Sequence, residues 1–298
     1  MKKNTSIPDT AVDIAEVKKH QLVLKVLLYI LIYSFLTFMA IIVLFPFYWM
    51  IISSLKTLAE YRLNTPTFWP QQIFIQNFRV AYEVANLGQL FVNTLIVGVV
   101  STILSLIVTV LSAFAFARLE FKGRNLLFGV LMATMMVPGE LFTITNYMTV
   151  TSWNLTNTYT VLIIPFLVSV FYIFLLRQNF KQIPNELYLA AKVDGTSDLK
   201  YLWKVMIPLC IPILITITIL KMMGAWNSYI WPRLVANDDA HKLITNGLRG
   251  ASFTDEANVT NFPAQMAAVV IVSFPLFLVF LFLRKYIMKG VARSGIKG

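Results

Sequence analysis

Six long apolar runs set the terms on which this chain can fold. They fall at roughly 24 to 54, 88 to 117, 125 to 149, 158 to 178, 206 to 230 and 264 to 288. Each is long enough to cross a hydrocarbon core of about 30 Å at about 1.5 Å per helical residue. Inside lipid every backbone N–H and C=O must be satisfied within the protein, which leaves helices or closed barrels. The alternating pattern of a barrel strand is absent. The expected fold is therefore all-α, a polytopic membrane protein of six transmembrane helices. Charged residues make up 13% of the chain, too few for a solvated surface of this size.

The first run is too long for a signal-peptide core and no small-residue cleavage pattern follows it, so it is expected to stay in the mature protein. Grouping the connecting segments alternately puts eighteen Lys and Arg on one side and six on the other. By the positive-inside rule both termini are cytoplasmic, and the net charge of +11 is a topology signal with no nucleic acid implied. The expected organisation is a cytoplasmic tail at 1–23, a membrane domain at 24–289 and a second tail at 290–298. Cys210 is the single cysteine and lies in an apolar run, so no disulfide framework or cysteine metal site is possible. His20 and His241 are far apart, and neither zinc nor acid/base catalysis is expected. No catalytic residue and no metal site is assigned.

Two charges lie inside the runs, Glu140 in the third and Lys221 in the fifth. Counted from the cytoplasmic ends, both sit about 22 to 24 Å up. An unpaired charge at that depth costs several kcal/mol, so each is expected to face the bundle interior, a wet cavity or the other. A neutralising pair and a polar lining of a solute pathway both fit. Pro138-Gly139, Pro165, Pro208 and Pro212 punctuate the third, fourth and fifth runs. Each removes a backbone donor and kinks its helix.

The polar stretch at about 179–205 contains ELYLAAKVDGTSD, residues 186 to 198. Pro184 suits a helix's first turn, Glu186 the positive helix N-terminus, and Leu187, Ala190 and Ala191 share one face. Asp194-Gly195 supplies the stop, with Gly195 able to take the left-handed conformation. Ser197 is expected to cap a second short helix carrying Leu199, Leu202, Trp203 and Met206 into the fifth span. The product is an elbow on the cytoplasmic face. Patterning leaves open whether it docks on another protein or rests in lipid headgroups.

The segment PNELYLAAKVDGTSDLKYLWKVMIPL resembles the EAA loop of binding-protein-dependent ABC importer permeases. FVNTL at 91 to 95, AFAFARLEFKGR at 113 to 124, MMVPGE at 135 to 140 and WNSYIWP at 226 to 232 resemble motifs of the carbohydrate-uptake subfamily, the maltose-type second permease subunit. The resemblance covers nearly the whole chain and implies a type I importer fold. It implies coupling helices seated in clefts of two cytoplasmic ATPase subunits. Glu186, Leu187, Leu189, Ala190, Ala191, Asp194 and Gly195 are then the coupling positions. Leu189 stands where the family carries glutamate, and Thr145-Asn146 where relatives often carry proline. The tail ARSGIKG resembles one that reaches toward the ATPases. The outer loop at about 231 to 263, with Asp238, Asp239, Asp255 and Glu256, corresponds to a region facing the solute-binding protein.

No G-x-x-x-x-G-K-[ST] occurs, so the chain holds no nucleotide in the P-loop manner. The resemblance assigns ATP and Mg to partner ATPases and no cofactor to this chain. The expected partners are those ATPases, a homologous permease forming a heterodimer, an extracytoplasmic binding protein and membrane lipid, in the cell membrane of a prokaryote. The favoured solute is a sugar or oligosaccharide. Glu140, Asn146, Lys221, Trp226, Asn227 and Tyr229 are the candidates for the translocation pathway. A glycerol-phosphate-type solute is the nearest alternative. A stand-alone ion-coupled transporter would need internal repeats and several intramembrane carboxylates, and the sequence offers only Glu140.

Overall fold

The computed structural model describes residues 10–254 and 259–295, and within these the secondary structure is helical apart from one isolated bridge, Thr254 to Thr260. The first helix, α1 (Thr10–Ser54), is apolar all round and exposed along most of its length. It packs on the last helix of the chain, as an all-apolar helix does when lipid supplies most of its solvent. The helix begins at Thr10, and its apolar candidate span runs from His20 to Ser54.

Short helices α2 (Leu58–Tyr61) and α3 (Gln76–Val84) follow at the far end of α1. Their connection is tied down by polar groups. Asn77 Nδ2 donates to the carbonyls of Ser54 and Lys56 at 2.9 and 2.7 Å, and buried Glu60 accepts from the Thr67 hydroxyl at 2.6 Å. Next comes α4 (Leu87–Arg118), the central helix. Its buried face carries Thr94, Gly98, Ser101, Thr102, Ser105 and Thr109, small residues that let neighbouring helices approach without a hydrophobic driving force between them. A Cβ on Gly98 would lie 2.9 Å from the sulfur of Met222, so a larger residue there must displace the end of that side chain.

The third, fourth and fifth runs are broken helices. In the third, α5 (Arg124–Thr134) meets a short 3₁₀ segment (Gly139–Phe142) and α6 (Thr143–Ser152) with a bend of 79°, where Pro138 interrupts the ladder. The fourth joins α7 (Tyr159–Ile163), a 3₁₀ turn holding Pro165, and α8 (Val170–Gln182) at 45°. After α9 (Asn185–Val193), the fifth joins α10 (Asp198–Tyr201), a π-helical turn, α11 (Ile207–Leu209) and α12 (Ile211–Trp226), bent by 82°. Pro212 has no N–H for the carbonyl of Pro208, and its ring excludes that carbonyl, so the helix turns at Cys210. The expected span of 206–230 is thus corrected. Met206 belongs to the arm before the bend, and the helix beyond it ends at Trp226.

Helices α13 (Ile230–Val235) and α14 (Ile244–Gly250) lie on the same end as α2 and α3, and α15 (Phe262–Gly295) completes the chain. The loop at about 231 to 263 is largely built. Asn93 of α4 donates to Ala240 and Lys242 carbonyls, the Ile244 N–H donates to Thr94, and Asn246 bonds Pro232 and Ala236 carbonyls. Asp238 and Asp239 pair with His241 and Lys242, whereas Asp255 and Glu256 lie outside the described residues. The expected C-terminal tail is helical as far as Gly295, and Ile296, Lys297 and Gly298 are outside the described residues.

Among the described residues three helices are long and apolar enough to cross a membrane alone, and the count rises to six when each bent pair is one span. The core lies where α8 and α12 pack on α4, with α15 against α12. One cluster joins Phe114, Leu176, Phe180, Tyr201, Leu202 and Met206, the end of the bundle that carries α9.

Candidate functional site

The elbow is set by its end as much as by its helix. The Gly195 N–H donates to Lys192 O at 3.0 Å and the Thr196 N–H to Ala191 O at 2.8 Å, with Gly195 at φ +69°. This is the paired closure of a Schellman motif, which requires a left-handed residue after the helix cap. Pro184 stands one position ahead of the first turn, and Ser197 occupies the cap of α10 without a side-chain cap bond.

The inner face of α9 is fastened. The Tyr188 hydroxyl donates to Asp198 Oδ1 at 2.8 Å, Lys192 Nζ reaches the same oxygen at 2.6 Å, and the Tyr188 and Tyr201 rings lie 5.1 Å apart. The bonds from Lys192 and Tyr188 hold the Asp198 carboxyl below the usual carboxylate range, and the bond to Asp198 raises the Lys192 ammonium. Tyr188 and Ala191 pack against the core cluster. The outer face is free: Glu186, Leu187, Leu189, Ala190 and Val193 are exposed, with Val193 at 88%. Leu199 and Trp203 continue the apolar surface beyond the elbow. Of the expected face Leu187–Ala190–Ala191, the first two point outward and Ala191 turns inward.

Arginines lock this end of the bundle. Arg118 donates to the carbonyls of Phe180 and Ile183 at 2.8 and 2.5 Å and to Asn185 Oδ1 at 3.2 Å, while Arg177 Nε donates to Phe116 O at 3.1 Å. Each of α4 and α8 thus has its terminal carbonyls met by the other's guanidinium, where the helix dipole favours a cation. Neither arginine stood out in the sequence, because a basic residue at a helix end reads first as a topology marker.

A second feature is a cavity of about 390 Å³ at the α7–α8 break, closed by α4, α12 and α13. Lys221 lines it and donates its ammonium to the carbonyl of Phe166, in the 3₁₀ turn made by Pro165. Ser101, Ser169, Tyr172 and Trp231 also face it. From Lys221 the lining continues through Gly224, Ala225 and Ser228, the i, i+3, i+4, i+7 spacing of one helical face.

The other expected pathway residues lie elsewhere. Trp226 is buried in the core beside Phe91, ring centroids 5.7 Å apart. Asn227 is exposed, and Tyr229 lies under the Arg249 guanidinium at 5.7 Å. Glu140 and Asn146 are exposed, as are Met136, Leu141 and Ile144. Glu140 and Lys221 form no ion pair, since the 79° bend leaves Glu140 on the surface of the chain and Lys221 turns to the fourth-span break.

The family model of the binding-protein-dependent transport system inner membrane component matches residues 109–293. The arabinooligosaccharides transport system permease protein AraQ of Halalkalibacterium halodurans is 30% identical over 264 residues, covering 88% of this chain and 94% of that protein. The diacetylchitobiose uptake system permease protein NgcG of Streptomyces coelicolor is 28% identical, over 88% and 87%. In fold, the chain is similar to one in the crystal structure of a bacterial ABC transporter involved in the import of the acidic polysaccharide alginate. The TM-score is 0.76 at 23% identity, over 95% of this chain and 99% of that one. The chain therefore belongs to the binding-protein-dependent transport system inner membrane components, as a non-catalytic, multi-pass permease subunit of an ABC importer in a bacterial inner membrane.

Proposed function

We propose that this permease carries a sugar or oligosaccharide inward, driven by two cytoplasmic ATPase subunits that grip the α9–α10 elbow. The observation that supports the grip is the exposed apolar row Leu187, Leu189 and Val193 on a helix whose inner face is fastened by Tyr188 and Ala191. Such a row on a short, locked helix is a docking knob: burying it favours association, and the fixed inner face passes the push into the bundle. Leu189 makes that contact by apolar packing where the family places a glutamate. The ATPases hold ATP and Mg, and this chain contributes no nucleotide site.

The exposed residues Met136, Leu141 and Ile144 belong to the surface for the second permease of a heterodimer, with Glu140 at the seam where the solute passes. The built outer end, with α13 and α14, receives the loaded binding protein. Nucleotide and binding protein then bias two states that open the pathway alternately. Relatives named for arabinooligosaccharides and diacetylchitobiose support a sugar as solute. A glycerol-phosphate-type solute is favoured by one observation, Lys221 in the cavity lining.

Co-purification tests the docking. Detergent-solubilised permease brings down an ATPase, and both Leu189→Glu and deletion of 186–198 abolish the association. Retention of the ATPase by both variants would refute the elbow as its seat.

A further inference from the structure

We propose that the cavity at the α7–α8 break binds the anionic group, carboxylate or phosphate, of a polyhydroxylated solute, with Lys221 as its counter-ion. The inference rests on the importer reading and deepens it. Lys221 lies ten residues past the start of α12 at Ile211, about 15 Å along the helix, well inside the membrane-crossing part. A cation held there needs a partner, because its charge is poorly solvated. Its one bond is to the Phe166 carbonyl, which accepts a proton donor but does not neutralise the charge. Among the described residues Lys221 makes no ion pair, and no carboxylate lines the cavity.

The rest of the lining fits the other half of such a solute. An ammonium has three N–H donors, so two remain beyond the one spent on Phe166. Ser101 bonds back to Gly98 and Ser169 caps α8, but the hydroxyls of Tyr172 and Ser228 make no hydrogen bond among the described residues. They can donate to or accept from sugar or glycerol hydroxyls. The volume of about 390 Å³ lies in the range of small-molecule sites and admits a small solute or one end of a longer one. A charge-assisted bond separates an anion from its neutral analogue.

The test uses the permease co-purified with its partner permease and ATPases. Equilibrium binding is measured for digalacturonate against its methyl ester, and for glycerol 3-phosphate against glycerol. At least one anion should bind about tenfold or more tightly than its neutral analogue, and the identity of that anion separates a uronate from a phosphate ester. Lys221→Gln should erase the preference and Lys221→Arg should retain it. Equal binding of charged and neutral probes would overturn the proposal and point to a carboxylate of the partner permease as the counter-ion, and a preference that survives Lys221→Gln would overturn it by placing the anion elsewhere. ATPase content is scored on the same samples. Its presence without charge preference refutes the cavity alone, whereas its absence refutes the importer reading.

Discussion

Replacing Gly195 separates backbone conformation from bulk. Gly195 sits at φ +69°, and a Cβ built on it would meet nothing within 4 Å. A substituent therefore has room, and its whole effect comes from the left-handed conformation. For an L-residue that conformation costs about 1–2 kcal/mol, less for Asn, more for a β-branched side chain. Relief of the cost opens the closure of Gly195 on Lys192 and of Thr196 on Ala191 and lets the end of α9 unwind. If docking needs the closed elbow, the penalty is returned as affinity: Gly195→Ala should weaken ATPase binding about 5- to 30-fold, since 1.4 kcal/mol is tenfold. Gly195→Asn should lose much less despite its larger side chain, and Gly195→Val should lose most. The assay is a titration of immobilised permease with purified ATPase. The melting temperature of the permease alone should hardly move, because the residue is exposed and outside the core. An order that follows side-chain volume, with Ala better tolerated than Asn, would refute the reasoning.

Arg118→Met should lower the melting temperature of the detergent-solubilised permease, because the carbonyls of Phe180 and Ile183 lose charge-assisted bonds worth about 1.5–3 kcal/mol each. Arg118→Lys should fall between, since one ammonium cannot match a planar fork that reaches Phe180, Ile183 and Asn185. At the opposite end, burial pushes the Glu60 carboxyl up, but bonds from Thr67 and Gln71 and the charge of Lys56 outweigh it and hold the group below its ordinary value. Its contribution is therefore complete above the ordinary glutamate range and is lost as pH falls through the lower folded value. Thermal melts across the acid range should show Glu60→Gln about 1–2 kcal/mol less stable near neutrality, with part of the acid sensitivity removed.

The apolar runs determined most of the architecture directly, because lipid leaves a backbone no alternative to helix over such lengths. The stop at Asp194-Gly195 was equally legible, since only a left-handed residue closes a helix in that way and glycine takes that conformation without a Cβ penalty. The prolines marked the third, fourth and fifth spans as broken. Their bends of 79°, 45° and 82° were not in the sequence, because an angle depends on what packs on each side of the lost hydrogen bond. Depth along a helix is linear only while the helix is straight, so bends of 79° and 82° undo a height match of Glu140 and Lys221 drawn from residue counts. Azimuth is not linear once a helix is broken. Tertiary structure decided that Glu140 faces outward, that Trp226 turns into the core beside Phe91, and that Lys221 meets the Phe166 carbonyl across a cavity. One-dimensional pattern thus determined which long runs are helical and where α9 stops. Only packing between distant segments decided which side chains share a space.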